Sequence, residues 1–491
     1  MTHRSSMGVA RAGLLLGLVV ASACAHRPAA PGSPAVASLR APAPAASSQG
    51  WVYEVLASGG GEELAIEAWF PPGTMDELTV VDGAEPYLKA VEADVGKGFA
   101  ALPMRDQSWF LPTCTRGCRV RYRFALGAAA RASGLVMMGR ASAGAIESPP
   151  STWLLRPVRA PLGTPFRFHV TTAPGDTFAS GVFRAAASDT YQGKAAPTFQ
   201  LPYAAIGKVR VHERLQGRLH VAVLPSAHPL RDEKAMLAWV ERAANAVAGF
   251  YGRFPVPRLL VLVRPVEGDG VGFGTAIGNS GAAIAIDVGD ACAATDFADD
   301  WVLVHEMIHT AMPDLNGPHH WLEEGLSTYV EPLARTRAGM VAETDVWRDW
   351  VKGMPNGLPR DGDEGLDVTH TWGRTYWGGA LFCLVADVEI RSRTGNRKSI
   401  DDALRAVVEH GGNISEAWPI TRVIEIGDAA TGVPVLAELY AKMAHAPAPV
   451  DLPGIWRRLG VVTSARGEVT FDDAAPLANV RRAMTARPRP E

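Results

Sequence analysis

The chain has 491 residues, of which 47% are apolar and 20% charged, with a net charge of −3. That composition excludes a disordered or fibrous chain and allows two or three domains, each with its own core. The near-neutral charge and the lack of a long basic run exclude nucleic-acid binding as a main role.

In chain order, the first 24 residues read as a targeting element. His3, Arg4 and Arg11 precede an apolar run over 13–20, which is too short to span a bilayer as a helix. Small residues Ala21, Ser22 and Ala23 then lead to Cys24. The segment resembles a bacterial lipoprotein signal, implying lipidation of Cys24 and an anchor in the cell envelope, in the outer membrane. Ordinary cleavage into the periplasm or medium is the alternative. Residues 25–50, rich in Ala, Pro and Ser, read as a solvated linker.

Residues 51–200 read as a β-rich, sandwich-like N-terminal domain. The run at 119–124 alternates apolar and polar positions strictly and those at 51–56 and 64–69 only roughly, with Gly or Pro close to each. Cys114 and Cys118 lie close enough for a small disulfide loop in an oxidising compartment. A zinc knuckle is the rival reading, but no second ligand pair lies nearby. Cys383 falls in an apolar helical run and reads as a buried thiol; Cys292 is left over.

From 201 to 393 the pattern predicts an α+β domain. Strands are expected at 217–224, 258–266 and 282–288, a long helix at 231–251, and another at 297–311, stopped by Pro313. The Gly-rich stretch 268–281 does not fit GxGxxG and reads as a loop feeding an edge strand, where an extended peptide could pair. Residues 394–491 read as a C-terminal helical region with helices at 400–409, 435–443 and 452–459. The tail from 487 onward reads as frayed.

The helix at 297–311 carries His305-Glu306-Met307-Ile308-His309. Residues i and i+4 share a helix face, so both imidazoles can reach one ion, and Glu306 stands beside that face where a general base belongs. The flanking Trp301, Val302, Leu303, Val304, Met307 and Ile308 make the helix apolar almost all round. A buried helix does not hold two histidines and a glutamate cheaply without partners, and a metal supplies them. Trp321-Leu322-Glu323-Glu324-Gly325-Leu326-Ser327-Thr328-Tyr329 follows a short loop later and offers a carboxylate as third ligand. Two His and one carboxylate leave a tetrahedral position open, as in catalytic rather than structural zinc sites. Adjacent helix residues point about 100° apart, so only one of Glu323 and Glu324 can face the ion.

Together these segments resemble the gluzincin metallopeptidases, whose third zinc ligand is the glutamate of a Trp-Leu-x-Glu-Gly-x-x-x-Tyr helix. The later Gly373-Arg374-Thr375-Tyr376-Trp377-Gly378-Gly379 is similar to the Tyr-x-x-Gly helix start of those enzymes. In layout the chain most resembles the glycyl aminopeptidase family, with the alanyl-type aminopeptidases and leukotriene hydrolases more distant. The resemblance implies a thermolysin-like catalytic domain with one Zn²⁺ per chain held by His305, His309 and Glu324. It further implies Glu306 as general base, Tyr376 as oxyanion donor, and hydrolysis of peptide or protein substrates through a metal-activated water.

Gly274, Thr275 and Ala276 are expected to bind substrate. Arg374 is expected either to do so or to pair with one of Asp361, Asp363, Glu364 and Asp367, a stretch that reads as solvated surface. His319 and His320 read as exposed loop residues that could line the cleft.

Two departures stand out: the link from His309 to Glu324 is short, and residues 272–281 contain no carboxylate. The family's aminopeptidases use a glutamate there to hold a free amino group, so trimming from the end and internal cutting both stay open. A non-catalytic envelope binding protein and a hydrolase of non-peptide substrates are the alternatives.

Overall fold

The computed structural model describes residues 39–487, except 48, 75–76, 113, 133–138, 186–187 and 197. Cys24, the expected signal segment and most of the expected linker lie outside the described residues.

Strict alternation builds the first sheet. In strand Cys118–Phe124, Cys118, Val120, Tyr122 and Phe124 are buried. The intervening Arg119, Arg121 and Arg123 pair across the open face with Asp94, Glu92 and Glu63 at 2.9, 2.5 and 3.0 Å. This strand sits within a seven-stranded sheet, between Leu64–Phe70 and Leu88–Asp94. Two four-stranded sheets accompany it, and Trp51, Tyr53, Phe70, Phe124, Trp153 and Phe168 fill the common core. Strand Ala204–Gly207 pairs with Thr177–Ser180 and Ala145–Glu147, so the β-rich part continues past residue 200.

The next sheet has five strands: β1 (Arg210–Arg214), β2 (Leu219–Val223), β3 (Leu259–Val266), β4 (Val271–Ile277) and β5 (Ala283–Gly289), in spatial order β1-β2-β3-β5-β4. Strands β2, β3 and β5 run parallel, as their nearly unbroken apolar sequences require, while β1 and β4 are antiparallel edges. The stretch expected as a loop over 268–281 therefore contains the edge strand itself. Its glycines hid it, because they answer to close packing rather than to a turn.

Small residues Ala145, Ala179, Ala205, Ala222, Ala283 and Ala285 let this sheet approach the N-terminal β part closely. A buried ion pair of Arg264 with Glu147 crosses the same contact.

Helix α1 (Glu233–Tyr251) starts at Asp232, whose side chain accepts from the Ala235 N–H, and stops at Gly252 with φ 74°. The expected helix over 297–311 is broken. Ala294–Asp299 and α2 (Val302–His309) are separate, because Asp300 leaves the helix with ψ 136° and caps α2. Its carboxylate accepts from the N–H groups of Val302 and Leu303 at 3.0 and 3.2 Å, and from the buried Trp239 indole at 3.1 Å. An Asp300→Ala variant should lose about 1 kcal/mol of capping and a further 1–3 kcal/mol, approximately, for the orphaned indole. Denaturant unfolding reads the loss, and an unchanged midpoint would refute this role.

Beyond α2 the chain is helical, with α3 (His320–Arg337) and α4 (Gly379–Arg393) at the centre. Helices Ile400–Glu409, Val435–Met443 and Leu452–Leu459 occupy the expected ranges. Helix Ile420–Thr431, the hairpin Val461–Thr463 with Val469–Phe471, and helix Ala478–Thr485 were not evident from the sequence. One apolar core runs from Leu219 to Met484 without a break near 393. Arg337 of α3 pairs with Asp401 at 2.6 Å and donates to the Met484 carbonyl. Among the described residues no helix is long and apolar enough to cross a membrane.

Candidate metal centre

Helix α2 presents His305 and His309 one turn apart, with ring centroids 5.1 Å from each other. Helix α3 brings the Glu324 carboxylate between them, one oxygen lying 3.2 Å from His305 Nε2 and 3.6 Å from His309 Nε2. One donor atom from each of the three residues lies within 4.8 Å of the other two. Burial disfavours the Glu324 charge, but hydrogen bonds from His305 and His309 outweigh it and hold the carboxyl well below the usual range. Burial likewise opposes charge on His309, and contact with Glu324 more than offsets it, raising the imidazole pKa.

Glu306 faces the same cleft and accepts from the Ala276 N–H of β4. Burial raises its carboxyl pKa, with the nearby histidines opposing. A proton acceptor of raised basicity is what a general base at neutral pH requires. Gly274 on β4 explains how the strand comes so near: a Cβ there would stand 2.7 Å from Glu306 Cγ. Gly274, Thr275 and Ala276 all line the cleft, which has a volume of about 770 Å³.

Glu323 points away from the histidines. It accepts from the Leu315 N–H at 2.9 Å and lies 3.1 Å from His320 Nδ1. His320 lines the cleft, with Nε2 3.4 Å from a Glu324 oxygen. His319 instead meets Asp367 at 2.9 Å. Asp367 also accepts from the Trp321 indole at 2.6 Å and the Tyr440 hydroxyl at 2.8 Å, rooting the start of α3. Asp363 and Asp367 are thus buried, not part of the solvated surface expected there.

Of the two expectations for Arg374, the ion pair with an acid of the 361–367 stretch is the one found. Arg374 is 3% exposed, pairs with Asp363 at 2.7 Å and donates to the Gly357 carbonyl. It lies outside the lining of this cleft and braces the loop before α4. The alternation of acids and glycines around 361–367 gave no sign that this loop folds inward.

Tyr376 lines the cleft, its ring 6.4 Å from that of His305. It sits in a single π-helical turn, Gly373–Gly378, that leads into α4, a feature that recurs at functional sites. Burial, then Glu324 and Glu306, raise its pKa, so the phenol stays protonated and able to donate. Its placement follows from two glycines. A Cβ on Gly325 of α3 would come 2.2 Å from Gly379 Cα, and one on Gly379 would come 1.9 Å from the Trp321 carbonyl oxygen. Helices α3 and α4 therefore touch backbone to backbone, which sets Tyr376 opposite Glu324.

Cys114 and Cys118 are joined by a disulfide, while Cys292 and Cys383 are free and buried.

No protein-family profile matches the sequence, and no curated protein does. Solved structures do match. An aminopeptidase N family protein from Idiomarina loihiensis superposes with a TM-score of 0.63 at 13% identity, covering 84% of this chain and 79% of that one. A two-domain M1 zinc metallopeptidase variant bound to L-arginine gives 0.51 at 15% identity, covering 82% and 96%. The same kind of variant bound to L-tryptophan gives 0.50 at 15% identity, covering 83% and 96%. At these identities the likeness establishes the fold: a β-rich N-terminal part and a helical C-terminal part around the M1 metallopeptidase arrangement. The sequence resemblance to gluzincins therefore extends to the architecture.

Proposed function

We propose that this protein is a zinc-dependent peptidase of gluzincin type. The observation that carries the reading is the Glu324 carboxylate set between His305 and His309, with Glu306 beside them in an open cleft. Two imidazoles and a carboxylate converging through their free donor atoms suit Zn²⁺, and three protein ligands are the number a catalytic zinc uses. When bound, zinc would lower the pKa of a water towards about 7 and polarise the substrate carbonyl. Glu306 would take the proton from the attacking water and hand it to the departing amine nitrogen. Tyr376 would donate its hydroxyl to the oxygen on which negative charge develops. The outer edge of β4, unpaired in the sheet, would hold the substrate backbone extended. The amino acids held by the structural neighbours, L-arginine and L-tryptophan, are of the kind that peptide hydrolysis releases.

Tyr376→Phe should lower kcat by about 10²–10³-fold, the usual effect of removing one oxyanion donor, while KM and metal content stay near those of the parent. An unchanged kcat would remove Tyr376 from the mechanism.

We also place the protein in the cell envelope with a lipid on Cys24, on the strength of residues 13–24 and of a disulfide suited to an oxidising compartment. Labelling with a fatty-acid analogue should tag the wild type and not Cys24→Ala; equal labelling of both, or of neither, contradicts the anchor.

A further inference from the structure

We infer that the cleft takes a peptide chain passing through it, without a free terminus beside the metal centre, so that the bond cut is internal. This rests on the peptidase reading above and adds the substrate class.

A second cavity, also of about 770 Å³, adjoins the one over the metal centre, and Thr198, Asn279 and Asp314 line both. Strand β4 leads from one to the other. Its outer edge lies open along the first cavity, and just beyond its end Asn279 and Ser280 line the second. Their N–H groups donate to the carbonyls of Ile414 and Ser415 at 2.8 and 3.0 Å, which fixes the floor where the cavities meet. The Ile414 and Ser415 backbone abuts the end of β4, and a chain leaving the first cavity has its further space beside that segment, where Thr198, Asn279 and Asp314 are shared with the second cavity.

Charge points the same way. A terminal ammonium or carboxylate taken out of water needs a counter-charge, whereas an internal peptide unit needs only hydrogen bonds. Among the described residues, no Lys or Arg lines the first cavity. Its carboxylates are Glu306 and Glu324, committed to proton transfer and metal, and Glu323 and Asp314. Glu323 is held by the Leu315 N–H and His320, and Asp314 accepts from the Asn316 N–H at the junction of the cavities. A terminal carboxylate finds no Lys or Arg next to the metal centre, and the carboxylates left for an ammonium, Glu323 and Asp314, are already engaged by the Leu315 and Asn316 N–H groups. In the reaction water adds across an internal C–N bond: the carbonyl carbon gains the hydroxyl, the nitrogen gains the proton, and two shorter peptides leave.

The test uses quenched-fluorescent decapeptides with a free or an acetylated N-terminus, cut by the full-length protein and by Glu306→Gln, with products read by mass spectrometry. Internal cleavage of the acetylated peptide, at a rate within about threefold of the free one, is expected. Loss of a buried ammonium contact would instead slow it at least about thirtyfold. That slowing, with single residues released from the free peptide, overturns the inference and leaves the peptidase intact. Identical products from wild type and Glu306→Gln would defeat the peptidase reading, and the inference with it. Gln192→Trp, at an exposed residue that lines the second cavity and not the first, should slow decapeptide cleavage about tenfold or more while sparing a tetrapeptide. Equal rates on the decapeptide would show that the chain does not enter the second cavity, and the inference fails.

Discussion

Glu306→Gln is expected to reduce peptide hydrolysis by about 10²–10⁴-fold, the range associated with loss of a positioned general base. The substitution keeps side-chain volume and an oxygen able to accept the Ala276 N–H that now meets the carboxylate. Folding and metal content should therefore match the wild type, so the deficit would appear in kcat alone. Single-turnover assays on a mixed peptide library, with metal analysis of the same preparations, make the measurement. A variant retaining more than about a tenth of wild-type kcat would show that another group moves the proton, and the mechanism proposed here would fall.

The second large effect concerns the metal. Wild-type protein should carry about one zinc per chain, and His309→Ala should carry almost none. Only His305 and Glu324 would remain of the three donors now gathered within 4.8 Å. Because an ion that binds only the folded state stabilises it by mass action, chelation should lower the thermal midpoint of the wild type. The same chelator should leave that of His309→Ala unmoved. Folded wild type lacking stoichiometric zinc, or a variant that keeps it, would remove the site assignment.

Much of the centre was legible in sequence because helical spacing translates directly into geometry. A separation of four residues is enough to put His305 and His309 on one face. The choice between Glu323 and Glu324 was not a matter of spacing, since both neighbours are carboxylates. Partners that lie elsewhere in the chain decide it: the Leu315 N–H and His320 hold one, and the two imidazoles face the other. The same limit explains Arg374, whose partner Asp363 becomes apparent only once the loop has folded inward. Asp300 was missed for a different reason. It lies within a helix-compatible run, and only the break before Val302 reveals it as a cap.

Strand β4 was masked by Gly272 and Gly274, the second of which serves the approach to α2, so its low β-propensity said little about its conformation. The expected boundary at 393 failed physically as well. Arg337, Asp387 and Ile400 bond across it, and the helices on either side share one interior.

The bare contact between Gly325 and Gly379 has a mechanical corollary. With no side chains between them to slide or re-pack, α3 and the turn before α4 behave as one solid piece, carrying the third ligand and the phenol together. Breathing that admits or releases a substrate then falls to the other walls of the cleft, among them β4 and the stretch around Thr198 and Gln200.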